Sequence, residues 1–149
     1  MGMFSAFDIS ATGMTAERFR MDIIAQNVAN AETTRTEDGK PYRRKVVVFE
    51  EKNSPPTHFH AILQKANENY TGDGVKVTGV YEDIWTEGNM VYDPSHPDAD
   101  ENGYVTYPNV SIITEMTNLI DASRAYQANA TALDASKKIA TAGLNLLNN

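Results

Sequence analysis

The sequence predicts an α+β protein in which long N- and C-terminal helices flank a small β-rich middle domain. All six prolines and nine of the thirteen aromatic residues fall in the middle of the chain. In both flanks, alanine and apolar residues recur at helical spacing, whereas the middle carries β-branched runs between turn residues. The chain therefore divides into residues 1–34, 35–108 and 109–149, which form a helical segment, a β-rich domain and a second helical segment.

The first predicted element is an amphipathic helix from about Phe4 to Ala31. Its apolar stripe is weak, because Gly13 and either Glu17 or Arg18 fall on it. The apolar members of the stripe are Phe7, Met14, Met21, Ile24 and Val28.

The middle domain is predicted to consist of short antiparallel strands joined by turns. Gly72-Asp73-Gly74 provides turn residues before one of these strands. His60–Lys65 is compatible with another strand or with a short helix. The four clearest strands are Lys45–Glu50, Val75–Tyr81, Asn89–Tyr92 and Tyr104–Tyr107.

The C-terminal segment has the clearest periodicity of the chain, an unbroken heptad seam. It contains no proline, and no glycine between Val110 and Ala142, so its helix propensity is high. A helix of about 35 residues is about 50 Å long. The seam consists of Ile112, Met116, Leu119, Ser123, Tyr126, Ala130, Leu133, Lys137, Ala140, Leu144 and Leu147.

Two long terminal helices that pack on each other bury only the apolar stripe that each turns toward the other. The β-rich middle is too small to cover their remaining surfaces, and the many alanines allow close approach by neighbouring helices. The sequence therefore favours assembly with other chains through the terminal helices.

Composition excludes several classes of function. The 149 residues include no cysteine, which rules out disulfides, thiolate metal sites and a cysteine nucleophile. A net charge of −7 argues against a partner nucleic acid, because phosphate contacts need a basic surface. We expect neither membrane insertion, which needs about 20 apolar residues in a row, nor a cleaved Sec signal.

The acidic loop beginning at Asp98 resembles the first half of an EF-hand loop, with Asp98, Asp100 and Asn102 at ligand positions followed by Gly103. The twelfth position is Asn109, which cannot provide a bidentate carboxylate, and prolines precede the loop where a helix should enter. The favoured interpretation is therefore a solvated acidic turn, with calcium binding as the alternative.

Two further clusters contain residue types found in metal or phosphate sites. His58 and His60, with His96 as a third ligand, have the residue types of a zinc site, but surface histidines are the commoner explanation. The basic run Arg43-Arg44-Lys45 is followed directly by acids, which favours a strand edge over a phosphate site. No phosphate loop or serine elbow is present, so we predict no enzyme activity, cofactor, metal or small-molecule substrate.

Polar side chains interrupt helix faces that might otherwise be apolar. Buried polar groups need partners, and satisfied pairs fix the register between helices. Capping of a helix end accounts for Asn30 but not for Asn129, which lies in the middle of the predicted helix. The interrupting residues are Asn27, Asn30, Arg124, Tyr126, Gln127 and Asn129.

The same residues carry a family resemblance. Asn27–Thr33 (NVANAET) resembles the N-terminal Asn-x-Ala-Asn-x-x-Thr signature of flagellar rod, hook and hook-associated proteins. Arg124–Asn129 (RAYQAN) resembles their C-terminal Arg-x-Tyr-x-x-Asn signature. The middle segments Tyr42–Phe49, Tyr92–Val105 and Tyr107–Val110 are similar to basal-body rod proteins within that family.

The resemblance implies a structural subunit of the proximal rod of the bacterial flagellum, which transmits torque from rotor to hook. It also implies that the terminal helices form an antiparallel coiled coil, with the β-rich domain projecting outward. Export would use the flagellar type III apparatus, and the partners would be other copies and other rod proteins, FlgB and FlgF among them.

The predicted assembly interface consists of residues from the two apolar stripes and from the two signature motifs. The alternative hypothesis is a self-contained protein- or calcium-binding module whose helices pack only on each other. The interface residues are Phe7, Met14, Met21, Ile24, Asn27, Val28, Asn30, Thr33, Met116, Leu119, Arg124, Tyr126, Asn129, Leu133, Ala140 and Leu144.

Overall fold

The computed structural model describes residues 3–52 and 73–147. It confirms an α+β protein with two long helices and two small sheets. The segment His60–Lys65 and the residues His58 and His60 lie outside the described residues. The elements are α1 (Met3–Ala29), β1 (Lys45–Glu51), β2 (Val75–Glu82), β3 (Asn89–Tyr92), β4 (Tyr104–Tyr107) and α2 (Ile112–Leu147).

Asn30 and Thr33 form side-chain hydrogen bonds at the C-terminal end of α1. The Asn30 backbone N–H and side-chain Nδ2 both donate to the carbonyl of Gln26, at 3.1 and 2.9 Å. The Thr33 hydroxyl donates to Asn30 Oδ1 at 3.2 Å. The Asn30 side chain therefore lies at the C-terminal end of α1 and joins its last turn to Thr33.

The four clearest predicted strands are confirmed to within one residue. Strands β1 and β2 form one two-stranded sheet, and β3 and β4 form another. In the second sheet the strands are antiparallel, and Val91 pairs with Val105. At the ends of the first sheet, Asp83 N donates to Arg44 O, and Lys52 N donates to Gly74 O, both at 2.8 Å.

The contacts divide the chain into two compact units, and both helices contribute to each. Unit A contains residues 1–18, 49–78 and 124–149, and unit B contains residues 19–48 and 79–123. The described residues include no helix with the length and hydropathy needed to cross a membrane.

The buried residues are few, and several are polar. In unit B, Ile24, Tyr42, Val105 and Ala122 are buried with Asn27 and Glu115, and in unit A, Ser10 and Ala16 are buried. On α2, the most buried positions are Glu115 and Ala122, each one residue before a position of the predicted seam. The seam residue Met116 is 56% exposed. Glu115 is buried in place of its seam neighbour Met116 because its carboxylate has hydrogen-bond partners inside the chain.

Candidate assembly site

Asn27, from the N-terminal signature, is the centre of a buried polar cluster in unit B. Its side chain is 0% exposed. Its Nδ2 donates to Lys45 O at 2.8 Å and to Glu115 Oε2 at 2.9 Å. Its Oδ1 accepts from the Tyr42 hydroxyl and from Lys45 N, both at 2.9 Å. All four hydrogen-bonding positions of this amide are therefore used.

Glu115 brings a carboxylate into the same cluster from α2. It is 1% exposed, and its Oε1 lies 2.8 Å from Arg44 Nη2 and 2.9 Å from Arg44 Nε. Asn118 Nδ2 adds a weaker bond to that oxygen at 3.3 Å. A buried carboxylate is tolerated only when it is paired and hydrogen-bonded, and Arg44 with Asn27 meets that requirement.

Tyr42 completes the cluster as a donor. Burial, together with the negative charges of Glu82 and Glu115, raises the pKa of the Tyr42 phenol above its ordinary value. The phenol is therefore neutral at physiological pH and donates to Asn27. Lys45 Nζ lies 5.6 Å from the centroid of the Tyr42 ring, within range of a cation–π contact.

Asn109 links the start of β1 to the turn after β2. Its Oδ1 accepts from Arg44 N at 2.8 Å. Its Nδ2 donates to the carbonyls of Asp83 and Thr86, at 2.9 and 3.1 Å. The segment that contains Arg44 is thus fixed by its backbone as well as by its side chain.

In unit A, the two helices approach closely at Gly13. A Cβ added at Gly13 would lie 2.9 Å from the side-chain atoms of Asn129 on α2. Asn129 Nδ2 donates to its own helix, at Ala125 O, over 3.0 Å. The C-terminal signature residue therefore packs directly against Gly13, where an added Cβ would displace the Asn129 side chain. The residue before Gly13, Thr12, contacts β2: its hydroxyl accepts a hydrogen bond from Val75 N at 3.2 Å.

The acidic loop is a structured turn, and its carboxylates face protein donors. Asp100 Oδ1 accepts from Asn102 N and Tyr104 N, at 2.9 and 2.8 Å. Asp98 Oδ2 accepts from the Thr34 hydroxyl at 2.8 Å, and Asp98 Oδ1 lies 3.6 Å from Arg35 Nη1. Gly103 has a φ of 82°, as the turn into β4 requires.

This geometry disfavours the calcium alternative. Residues 3–52 and 73–147 contain no cluster of three acidic or histidine side chains suited to a metal ion. His96, the proposed third zinc ligand, accepts from Asp98 N through Nδ1 at 3.1 Å. His96 therefore takes part in the hydrogen bonding of the turn, whereas the Asp98 carboxylate contacts Thr34 and Arg35.

Apolar side chains on α2 remain exposed. Ile113 and Ile120 are 80% and 53% exposed, and with Met116 they lie on one face of the helix. Farther along α2, Ile139 and Leu144 are also exposed. Exposed contiguous apolar surface on a protein is typical of an interaction site.

The structure distributes the sixteen predicted interface residues over three environments. Ile24 and Asn27 are buried within the chain, whereas Met116, Arg124 and Leu144 are exposed. The remaining residues are half-buried, namely Phe7, Met14, Met21, Val28, Asn30, Thr33, Leu119, Tyr126, Asn129, Leu133 and Ala140. Asn27 meets the start of β1 and Glu115, and Asn129 meets Gly13.

Sequence reasoning missed Tyr42, Glu115, Asn109 and Gly13 as parts of these contacts. A charged residue beside an apolar seam is usually solvated, so nothing in the local sequence marks Glu115 as buried. Gly13 interrupts an apolar stripe, and the sequence alone does not show which residue lies against it. The available signal was that Tyr42, Arg44 and Asn109 all lie in segments that carry the family resemblance.

Two segments of the chain match families of flagellar proteins. Residues 7–35 match the family described as flagella basal body rod protein. Residues 101–146 match the family described as flagellar basal body rod FlgEFG protein C-terminal. These matches, which include both helices, place the chain in the class of flagellar basal-body rod proteins.

Relatives named flagellar basal-body rod protein FlgC extend the likeness over nearly the whole chain. The protein of Borreliella burgdorferi is 40% identical, with 99% of each chain covered. That of Bacillus subtilis is 41% identical over 92% of this chain and 93% of the relative. That of Salmonella typhimurium is 39% identical over 98% of each. The chain belongs to the FlgC family.

The chain is therefore a structural subunit of the flagellar rod, located in the basal body. Rod proteins assemble with one another there, and this family is not enzymatic. The alternative of a self-contained binding module is not supported.

Proposed function

We propose that the chain is a subunit of the proximal rod that polymerises through its terminal helices and transmits torque from rotor to hook. Residues 1–34 and 109–149 form the assembling domain, and residues 35–108 form an outward-facing domain. The neighbours are other copies of the chain and other rod proteins, with FlgB and FlgF as the specific candidates. The chain reaches the rod through the flagellar type III export apparatus.

Two contacts support an antiparallel coiled coil of α1 and α2. Within unit B, Asn27 bonds to Glu115, and within unit A, Gly13 lies against Asn129. The two positions are fourteen residues apart on each helix, in opposite order along the chain. Fourteen residues are two heptads, which is the repeat that keeps one face of a coiled coil in contact.

The exposed apolar stripe of Ile113, Met116 and Ile120 is the observation that carries the assembly proposal. Burying apolar surface yields about 25 cal/mol per Å². Many identical contacts of this kind, repeated along a lattice, resist torque without any single strong bond.

Ile120→Asp tests the proposal. Because Ile120 is exposed in the single chain, we expect the purified variant to keep its helix content and unfolding midpoint. In cells we expect loss of rod assembly and of swimming, because a charge would be buried between subunits. Ile120→Leu is the matched control and should swim normally. Normal swimming by Ile120→Asp would contradict assembly through this face.

A further inference from the structure

The turn after β2 presents two apolar side chains to solvent. Trp85 is 90% exposed and Ile84 is 65% exposed. Trp85 is the single tryptophan of the chain. A tryptophan in this position is well suited to be a contact residue, because its burial contributes more apolar area than almost any other side chain.

The turn Asp83–Thr86 is held in place by its own side chains. Asp83 Oδ1 accepts from Trp85 N and Thr86 N, both at 3.1 Å, and Asp83 Oδ2 accepts from the Thr86 hydroxyl at 2.7 Å. The bonds from Thr86 and from Trp85 N hold the pKa of Asp83 below its ordinary value.

Two other side chains of unit B donate hydrogen bonds to the backbone of the same turn. Arg43 Nη1 donates to the carbonyls of Asp83 and Thr86, at 3.3 and 3.4 Å. Asn109 donates to the same two carbonyls. Because these hydrogen bonds constrain the turn, docking through it costs less ordering entropy than docking through an unsupported loop.

The charges around Trp85 indicate the chemistry of a partner. Glu82 and Glu87 flank the turn and are exposed. Among the described residues, neither takes part in a salt bridge. A complementary surface thus combines an apolar pocket for the indole with lysine or arginine side chains at its rim.

A second copy of the chain fits these charges poorly. Three cations of unit B are already engaged within the chain: Arg35 pairs with Asp98, Arg44 pairs with Glu115, and Lys45 lies over Tyr42. The segment 35–108 carries thirteen acids and eight bases, so two such surfaces would repel each other.

We propose that the Asp83–Thr86 turn is a docking site, anchored by Trp85, for a partner protein that is not a copy of this chain. The partner presents an apolar pocket bordered by basic side chains. This inference rests on the proposed function only in requiring that the chain be built into the rod.

Site-specific photocrosslinking in flagellated cells tests the inference. The photoreactive amino acid benzoylphenylalanine replaces Ile84 in the full-length chain, beside the intact Trp85. After illumination, basal bodies are isolated and the attached peptide is identified by mass spectrometry. We expect an adduct with a different protein at a site next to lysine or arginine. An adduct with a second copy, or no adduct from an incorporated subunit, would overturn the proposal.

Substitutions in the same background add a quantitative readout. Trp85→Ala should lower the crosslink yield at least about tenfold, as expected for an interface anchor, and Trp85→Phe should retain most of it. Glu87→Lys should lower the yield, whereas Glu101→Lys, which reverses an exposed acid in the 98–103 turn, should not. An unchanged yield in Trp85→Ala would contradict the anchor role.

Incorporation separates this inference from the proposed function. Immunoblotting of isolated basal bodies shows whether each variant enters the rod. Absence of the wild-type chain from basal bodies would contradict the rod assignment, whereas an incorporated Ile84 variant without the expected adduct would contradict the docking site alone.

Discussion

Asn27 is a side chain whose burial depends on complete hydrogen bonding. It joins the carboxylate of Glu115, the phenol of Tyr42 and both backbone groups of Lys45. If the amide were removed, Glu115 Oε2, the Tyr42 hydroxyl and the Lys45 backbone would each lose a hydrogen-bond partner. The signature residue therefore acts inside the subunit, where it fixes α1 and α2 to the start of β1.

Asn27→Ala should lower the free energy of unfolding by about 3 kcal/mol, because a charged acceptor and several neutral groups lose their partner. Urea unfolding followed by circular dichroism measures the change. Asn30→Ala removes only the helix cap and should cost about 1 kcal/mol. Equal costs for the two variants would contradict the central role of Asn27.

Tyr42 makes stability sensitive to high pH. Its raised folded-state pKa means that the unfolded chain loses the phenolic proton first as pH rises. The contribution of Tyr42 to stability is therefore complete below the unfolded pKa of about 10 and is lost as pH rises through the folded value. Unfolding free energies from pH 8 to pH 11 measure this slope.

Tyr42→Phe should flatten that alkaline slope, and it should cost about 1 kcal/mol at neutral pH because Asn27 Oδ1 loses a donor. Tyr92→Phe, which alters an exposed ring, should keep the wild-type slope. A slope in Tyr42→Phe equal to that of the wild type would show that other groups cause it.

At the scale of elements, the positions of the helices and strands follow from local sequence patterns. Heptad spacing and alanine content predicted α2, and β-branched runs predicted β1 and β2. The inward face of α2 did not follow from hydrophobicity, because Glu115 and Ala122 are more buried than Met116. Glu115 is buried because Asn27 and Arg44, from distant parts of the chain, satisfy its carboxylate. Ala122 is small enough to be fully buried.

Gly13→Ala tests the close approach of α1 to α2 in unit A. Alanine raises the helix propensity by about 1 kcal/mol, but its Cβ would lie 2.9 Å from Asn129. We therefore expect this contact to offset the gain in helix propensity, so that Gly13→Ala stabilises less than a glycine replacement in open space; urea unfolding measures the difference. Gly143→Ala is the control, because a Cβ at Gly143 has nothing within 4 Å and should be stabilising.

A second substitution makes the Gly13 prediction specific. Asn129→Ala removes the side chain that the new methyl group would meet. The double variant should therefore be more stable than Gly13→Ala alone. If Gly13→Ala is as stabilising as Gly143→Ala, the close approach is not a feature of the folded chain.

At the scale of the whole molecule, order in α2 is expected to depend on neighbours. Its residues 115 and 122 are buried, but from 134 to 145 only Ser136 and Ala140 are even half-buried. A helix with so little buried surface is marginal in water. In the dilute chain we expect fast amide hydrogen exchange beyond residue 134 and slower exchange around residues 115–122.

In isolated basal bodies the same C-terminal amides should become protected, because neighbouring subunits cover the exposed apolar side chains. Hydrogen exchange with mass spectrometry compares the two states. Strong protection of residues 134–147 in the dilute monomer would indicate a closed helical hairpin and would count against assembly through α2.

The sequence by itself determined the class of every described element and, through contiguous motifs at both ends, the family. Such features depend on residues close together in the chain, so local periodicity and composition suffice. Only the tertiary structure decided that Asn27 pairs with Glu115, that Gly13 faces Asn129, and that Asp98 bonds to Thr34. Asn27 and Glu115 are 88 residues apart, and burial of either depends on a partner that no local pattern specifies.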